Sequence, residues 1–305
     1  MIAPLGRSQD EESEDAVVAH AGPTVLRRHI AQTLVRLRLA AGFERKDVAS
    51  FVGRSLGHVR HLETMVHLPN QSEARDLLTH YGAAERLPSF LGMVKAAREG
   101  KDWWEDFPGR PSWLELLLSA ESAAEQIDSY DTMAVTGLFH TPGYAEAIIR
   151  TGAPHLTDDE VQQRIELRMA RQDVLTRQPN PPMVQCVMDE AVLHHLTPDP
   201  AVLAEQLVHL VKLAELPNVS IQVAEFGSTA WLDGVSGTFT VLTNGPEFED
   251  DPGLAYTETL VSGTYIEDAE QIERCRKTFA SVQRKACSPE DSLAILAQRA
   301  EEISR

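Results

Sequence analysis

The sequence predicts a mainly α N-terminal helix-turn-helix bundle followed by an α+β C-terminal domain with a small antiparallel sheet. Three observations predict it. Apolar residues recur at helical spacing from Leu26 to Leu78, punctuated by Gly42 and Gly53. Beyond residue 112, helical patterns are joined by short alternating runs such as "VSIQVAE" and "GTFTVLT". Those runs fall mostly after several helices, without strict strand–helix alternation, which favours antiparallel pairing. A chain of 305 residues suggests about two domains.

Residues 1–22, with the run "DEESED", read as a disordered acidic tail; no long apolar stretch marks them as a secretory signal. Residues 23–100 form the predicted helix-turn-helix domain. Thr24 is a plausible N-cap for a helix through Leu26, Ile30, Leu34, Leu37 and Ala41, ended by Gly42. Arg45 to Val52 makes a short second helix, and Gly53 supplies a tight turn. Ser55 caps a third helix that buries Val59 and Leu62, and "QSEARDLLTHYG" closes the bundle. Residues 101–112, inside "REGKDWWEDFPGRPSW", read as a linker, with Trp103 and Trp104 as packing residues at the join. Residues 113–305 form the C-terminal domain. Its helices are expected at 113–130, 143–151, 158–176, 200–216, about 266–285 and 288–303. Its strands are "MVQCVM", "VSIQVAE", "GTFTVLT" and "LAYTETL".

The net charge of −18 argues against a general polyanion binder. It hides an asymmetry: between Thr24 and Thr64 stand eight Lys or Arg against three Asp or Glu, a surplus of +5 that leaves −23 to the rest. A basic island in an acidic chain fits a small nucleic-acid-binding module joined to a body with another task. Ala49, Gly53, Val59 and Leu62, with Val48, stand where a helix-turn-helix needs a small residue, a turn and apolar anchors for the reading helix. Cys186, Cys275 and Cys287 lack zinc or disulfide spacing and read as thiols of a reducing cytoplasm. No stretch reaches the roughly 20 apolar residues of a membrane span.

Candidate chemistry in the C-terminal domain is sparse. "MDEAVLHHL" sets Glu190 four residues before His194 without a third ligand, so no metal and no cofactor is expected. "RIELRMARQ" lines up Arg164, Arg168 and Arg171 along one face. Two accounts stand: a solvated face braced by pairs such as Glu160–Arg164, worth about 0.2–0.5 kcal/mol each, or a site for an anion or acidic partner. Thr141 and Pro142 read as the cap and first turn of a helix, and His140 before them can line a pocket. No catalytic constellation is evident, and the chain is not expected to be an enzyme.

Residues 24–82 resemble the Cro/repressor (XRE) class. The whole chain resembles the actinomycete regulators that join such a domain to a large C-terminal domain of unknown function, a WhiJ-like, antitoxin-like family. "WWEDF", "TGLFHTPGYAEAIIR", "RIELRMARQDVLTRQPNPP", "MDEAVLHHL", "QLVHLVKLAELPNVSIQV" and "SPEDSLAIL" stand in that family's order. The resemblance implies a transcriptional regulator, cytoplasmic and nucleoid-associated when bound, with double-stranded operator DNA and a small protein encoded nearby as partners. Arg45 takes the backbone-contact position, where the class usually has glutamine. Leu56, Gly57 and His61 fall at base-facing positions, with Arg54, Ser55, His58 and Arg60 beside them. The family usually has Arg, Lys and Ser in the reading helix, and a Gly-Arg-Arg loop where this chain has "MVHLPN". Fewer phosphate contacts weaken affinity at every sequence, so a homodimer on paired half-sites is expected. The alternative is a protein-interaction module with weakened or lost DNA binding.

Overall fold

The computed structural model describes residues 21–305 except 196, 235, 236, 247, 260 and 261. The acidic tail expected over 1–22 lies, up to residue 20, outside the described residues. The chain forms two compact units. The first runs to Glu105 and takes in Gly245–Asp251; the second comprises Asp106–Asn244 and Pro252–Arg305.

The first unit is helical. α1 (Pro23–Ala40) starts with proline in its first turn and buries Leu26, Ile30 and Leu34 at four-residue steps. α2 (Arg45–Phe51) opens on a capping box between Glu44 and Asp47. Gly53, at φ +63°, makes the turn that a side chain would strain. α3 (Leu56–Glu63) is capped by Ser55, whose hydroxyl accepts from the His58 amide at 3.1 Å. α4 (Gln71–His80) and α5 (Leu87–Glu99) close the core with Leu77, Leu78, Phe90 and Val94. Two buried carboxylates stiffen this unit. Glu63 accepts from Arg38 Nε and Arg45 Nε, each at 2.6 Å. Asp251 pairs with Arg28 at 3.0 Å and with His29 at 3.3 Å, while Phe248 meets the His29 ring edge-on.

The second unit is a layered α/β body. In chain order it contains α6 (Glu115–Ala123), β1 (Ala124–Asp131), α7 (Pro142–Gly152), α8 (Asp158–Arg171), β2 (Met183–Asp189), α9 (Pro200–Leu213) and β3 (Val219–Ala224). There follow α10 (Ala230–Asp233), β4 (Phe239–Asn244), β5 (Leu254–Glu258), β6 (Gly263–Ile266), α11 (Ala269–Lys285) and α12 (Pro289–Ile303). The strands form one six-stranded sheet in the order β3-β2-β1-β4-β5-β6. β1, β2 and β3 are parallel, while β4, β5 and β6 run antiparallel.

The expected small antiparallel sheet is therefore corrected to a larger, mixed one. The reason lies in β1. "AEQIDSYD" continues a helical apolar pattern and carries Asp128, Ser129 and Asp131, residues uncommon in strands. The helix expected over 113–130 instead stops at Ala123, where Arg177 donates to the carbonyls of Ser122 and Ala124. Buried polar partners make the strand tenable: Gln126 donates to Asp128, and Ser129 to Asp131 at 2.9 Å. With β1 in place, β1-α7-α8-β2-α9-β3 alternates as a parallel half-sheet requires. One face of the sheet presents Ile127, Val184, Cys186, Ile221 and Leu242 to Leu203 and Leu207 of α9 and Leu296 of α12. The other presents Tyr130, Val187 and Ala224 to Phe279 and Val282 of α11.

Candidate functional site

In the first unit, the predicted reading residues fall into two groups. Leu56, Gly57, Arg60 and His61 are exposed on α3, with Leu56 55% accessible. A side chain at Gly57 would meet only Ser55 Oγ at 3.8 Å, so nothing within the fold demands glycine there. Four others are already engaged. Arg45 is held by Glu63, while Arg54 and His58 both face Glu73, at 3.4 and 3.0 Å. Ser55 spends its hydroxyl on the helix cap. Arg60 is thus the cation on α3 that projects without a carboxylate partner among the described residues.

The second unit brings His140, Arg164, Arg168 and Arg171 together on one cavity of about 570 Å³. The fold builds it from the backbone upward. Thr141 caps α7, and Gln206 on α9, itself wholly buried, receives the Thr141 amide at 2.7 Å and donates to the Phe139 carbonyl at 2.6 Å. Gln172 donates to the His140 carbonyl at 2.6 Å. The backbone carrying His140 is therefore fixed. Its ring donates from Nε2 to the Val135 carbonyl at 2.8 Å and accepts at Nδ1 from Arg168 at 2.7 Å. Burial and the Arg168 charge hold His140 well below its ordinary pKa, so the ring is neutral and suited to both bonds.

The arginines follow from helix geometry. On α8, Val161 and Ile165 pack against Ala145 and Ile149 of α7, and the neighbouring stripe at 164, 168 and 171 faces the cavity. Arg171 makes a bidentate pair with buried Glu121 of α6; burial opposes its charge, but Glu121 outweighs that and raises its pKa. Gly137 admits this guanidinium, since a Cβ there would lie 2.8 Å from Arg171 Nη1. Arg168 is different. Burial and the nearby Arg171 lower it to about 10, and among the described residues no carboxylate lies within ion-pair distance. The buried Nε of Arg164 has no hydrogen-bond partner. A solvated helix face is not what these residues make: their heads line a recess.

Facing them are Glu258, which accepts from Tyr256 at 3.2 Å, and Asp131 at the end of β1. Burial pushes the Asp131 carboxyl up to about 7, against hydrogen bonds from Ser129 and Cys186. Sequence reasoning missed Asp131, Glu121, Glu258 and Gln206. A lone acid inside the apolar run "LLLSAESAA" was a usable signal for Glu121; Asp131 was hidden with its strand. The Glu190–His194 pair forms at 3.5 Å on a partly exposed 3₁₀ turn. Among the described residues no three metal-ligating side chains converge, and no helix is long and apolar enough to cross a membrane.

A family described as a domain of unknown function (DUF5753) matches residues 114–298, more than half the chain and nearly all of the cavity lining. No curated protein and no solved structure matches the chain.

Proposed function

The chain belongs to the DUF5753 family, and from that premise we propose that it is a DNA-binding transcriptional regulator whose second unit holds an effector or a small partner protein. One observation carries the reading: α3 is fixed by a cap and a buried carboxylate while Leu56, Gly57, Arg60 and His61 project outward. A rigid helix with outward polar and small residues suits entry into the major groove, where Arg60 can reach a base and Leu56 a thymine methyl. With so few contacts, two copies on half-sites about one helical turn apart supply the missing affinity, so the protein acts as a homodimer. The strongly acidic remainder keeps the second unit off the phosphates.

Gel-shift titration against DNA from upstream of the protein's own coding region tests this. Arg60→Ala lowers operator affinity by about 1–3 kcal/mol. Unchanged affinity in both Arg60→Ala and Arg45→Ala rejects the placement. A second reading, an interaction module with lost DNA binding, draws on the engagement of Arg45, Arg54 and His58 by Glu63 and Glu73. Under that reading no DNA fragment is shifted, while a small protein still co-purifies.

A further inference from the structure

We infer that the cavity beneath α8 is a binding site for a small organic monoanion, a carboxylate borne on an apolar body. The inference rests on reading the second unit as effector-binding, and it adds the chemistry of the ligand. Three features of the cavity point there.

The first is unspent donor capacity. Arg164 and Arg168 both line the cavity with no carboxylate within ion-pair distance among the described residues, and Arg168 gives one N–H to a neutral imidazole. A buried donor left unmade is costly, and a guanidinium fork matches a carboxylate's two oxygens. His140 sharpens the geometry. By accepting from Arg168 it fixes the plane of the fork, and by being neutral it adds no competing charge.

The second is the charge balance. Arg171 is neutralised by Glu121, and Glu258 contributes one negative charge on the wall. Arg164 and Arg168 against Glu258 leave a single positive charge. Asp131, raised by burial, adds little negative charge below neutrality. A monoanion balances this lining; a phosphate dianion overshoots it, and among the described lining residues there is no glycine-rich turn of the kind phosphates use.

The third is the wall. Leu114, Leu117, Ile148, Ile149 and Leu167 give an apolar stretch to a lining that also holds the arginines, Asp131, Glu258 and five threonines. That combination of an apolar pocket with a few convergent polar groups is the form small-molecule sites take, and the volume is in their usual range.

The test is calorimetric titration of the full chain, without DNA, with decanoate, 4-phenylbutyrate, decan-1-ol and inorganic phosphate. At least one of the two carboxylates binds one to one with a dissociation constant below about 1 mM, and decan-1-ol and phosphate bind at least tenfold more weakly. Arg168→Gln reduces that affinity by about 10–100-fold, from loss of a charge-assisted hydrogen bond. Arg164→Gln reduces it by about 3–10-fold. Far-ultraviolet circular dichroism and the melting temperature check that each variant folds. If Arg168→Gln does not fold, the Arg164→Gln titration decides. The inference is overturned if neither carboxylate binds, if the alcohol or phosphate binds as tightly, or if folded variants keep wild-type affinity. Because DNA is absent, carboxylate binding without operator binding sinks the regulator reading alone, and operator binding without carboxylate binding sinks this one alone.

Discussion

Asp131 shows how one side chain records its surroundings. It ends β1 among Ser129, Cys186 and the more distant Arg171, and burial raises its carboxyl to about 7. In an unfolded chain the same group titrates near 4. The folded state therefore holds the proton more tightly, and the resulting stability is full below about pH 4 and is lost as pH rises through about 7. Asp131→Asn removes this dependence without changing shape. Relative to the variant, the wild-type protein is expected to lose on the order of 2–4 kcal/mol between pH 4 and pH 8, read from urea midpoints. Parallel curves for the two proteins would mean that the carboxylate is ionised in the fold. The cavity arginines were legible as a row in the sequence because they share a helical face. Which way they pointed was not, since the groups that decide it, Glu121, Glu258 and Gln206, are distant in the chain.

At the scale of elements, legibility tracked local signals. Thr141–Pro142 announces α7 and does cap it; Gly53 and Ser55 announce the turn and α3, and both act as read. Strands with β-branched residues were visible too, including β2 through β5. β1 and β6 were not. β1 reads as helix because its polar residues are satisfied only by neighbours in the folded sheet, and β6 is four residues, "GTYI", begun by glycine. Missing β1 removed the centre of the sheet, and with it the parallel half. One element is testable by itself. Ser55→Ala deletes the only side-chain bond to the N-terminal amides of α3 among the described residues, and should cost about 1 kcal/mol in global stability. It should also raise amide exchange in α3 more than in α1. Equal exchange in the two helices would show the cap to be redundant.

At the scale of the molecule, the first unit draws on two stretches of chain, one ending at Glu105 and the other Gly245–Asp251. No local signal marks the second stretch, which reads as an ordinary acidic loop, "GPEFEDD". Its Asp251 meets Arg28 and His29, residues only 1% and 2% exposed. Asp251→Ala in the full chain should destabilise the first unit by about 3–5 kcal/mol, as removal of one buried ionic partner does. Amide exchange in α1 reads that loss, and unchanged protection there would show the carboxylate to be dispensable.

The same feature sets a timetable for birth on the ribosome. From Glu105 to Asp251 the chain must lengthen by 146 residues, which at about 5–20 residues per second takes roughly 7–30 s. Throughout that interval Arg28 and His29 have been made and their carboxylate has not. The segment translated first is thus finished late, and a nascent chain stalled before residue 245 carries α1 to α5 still awaiting their acid.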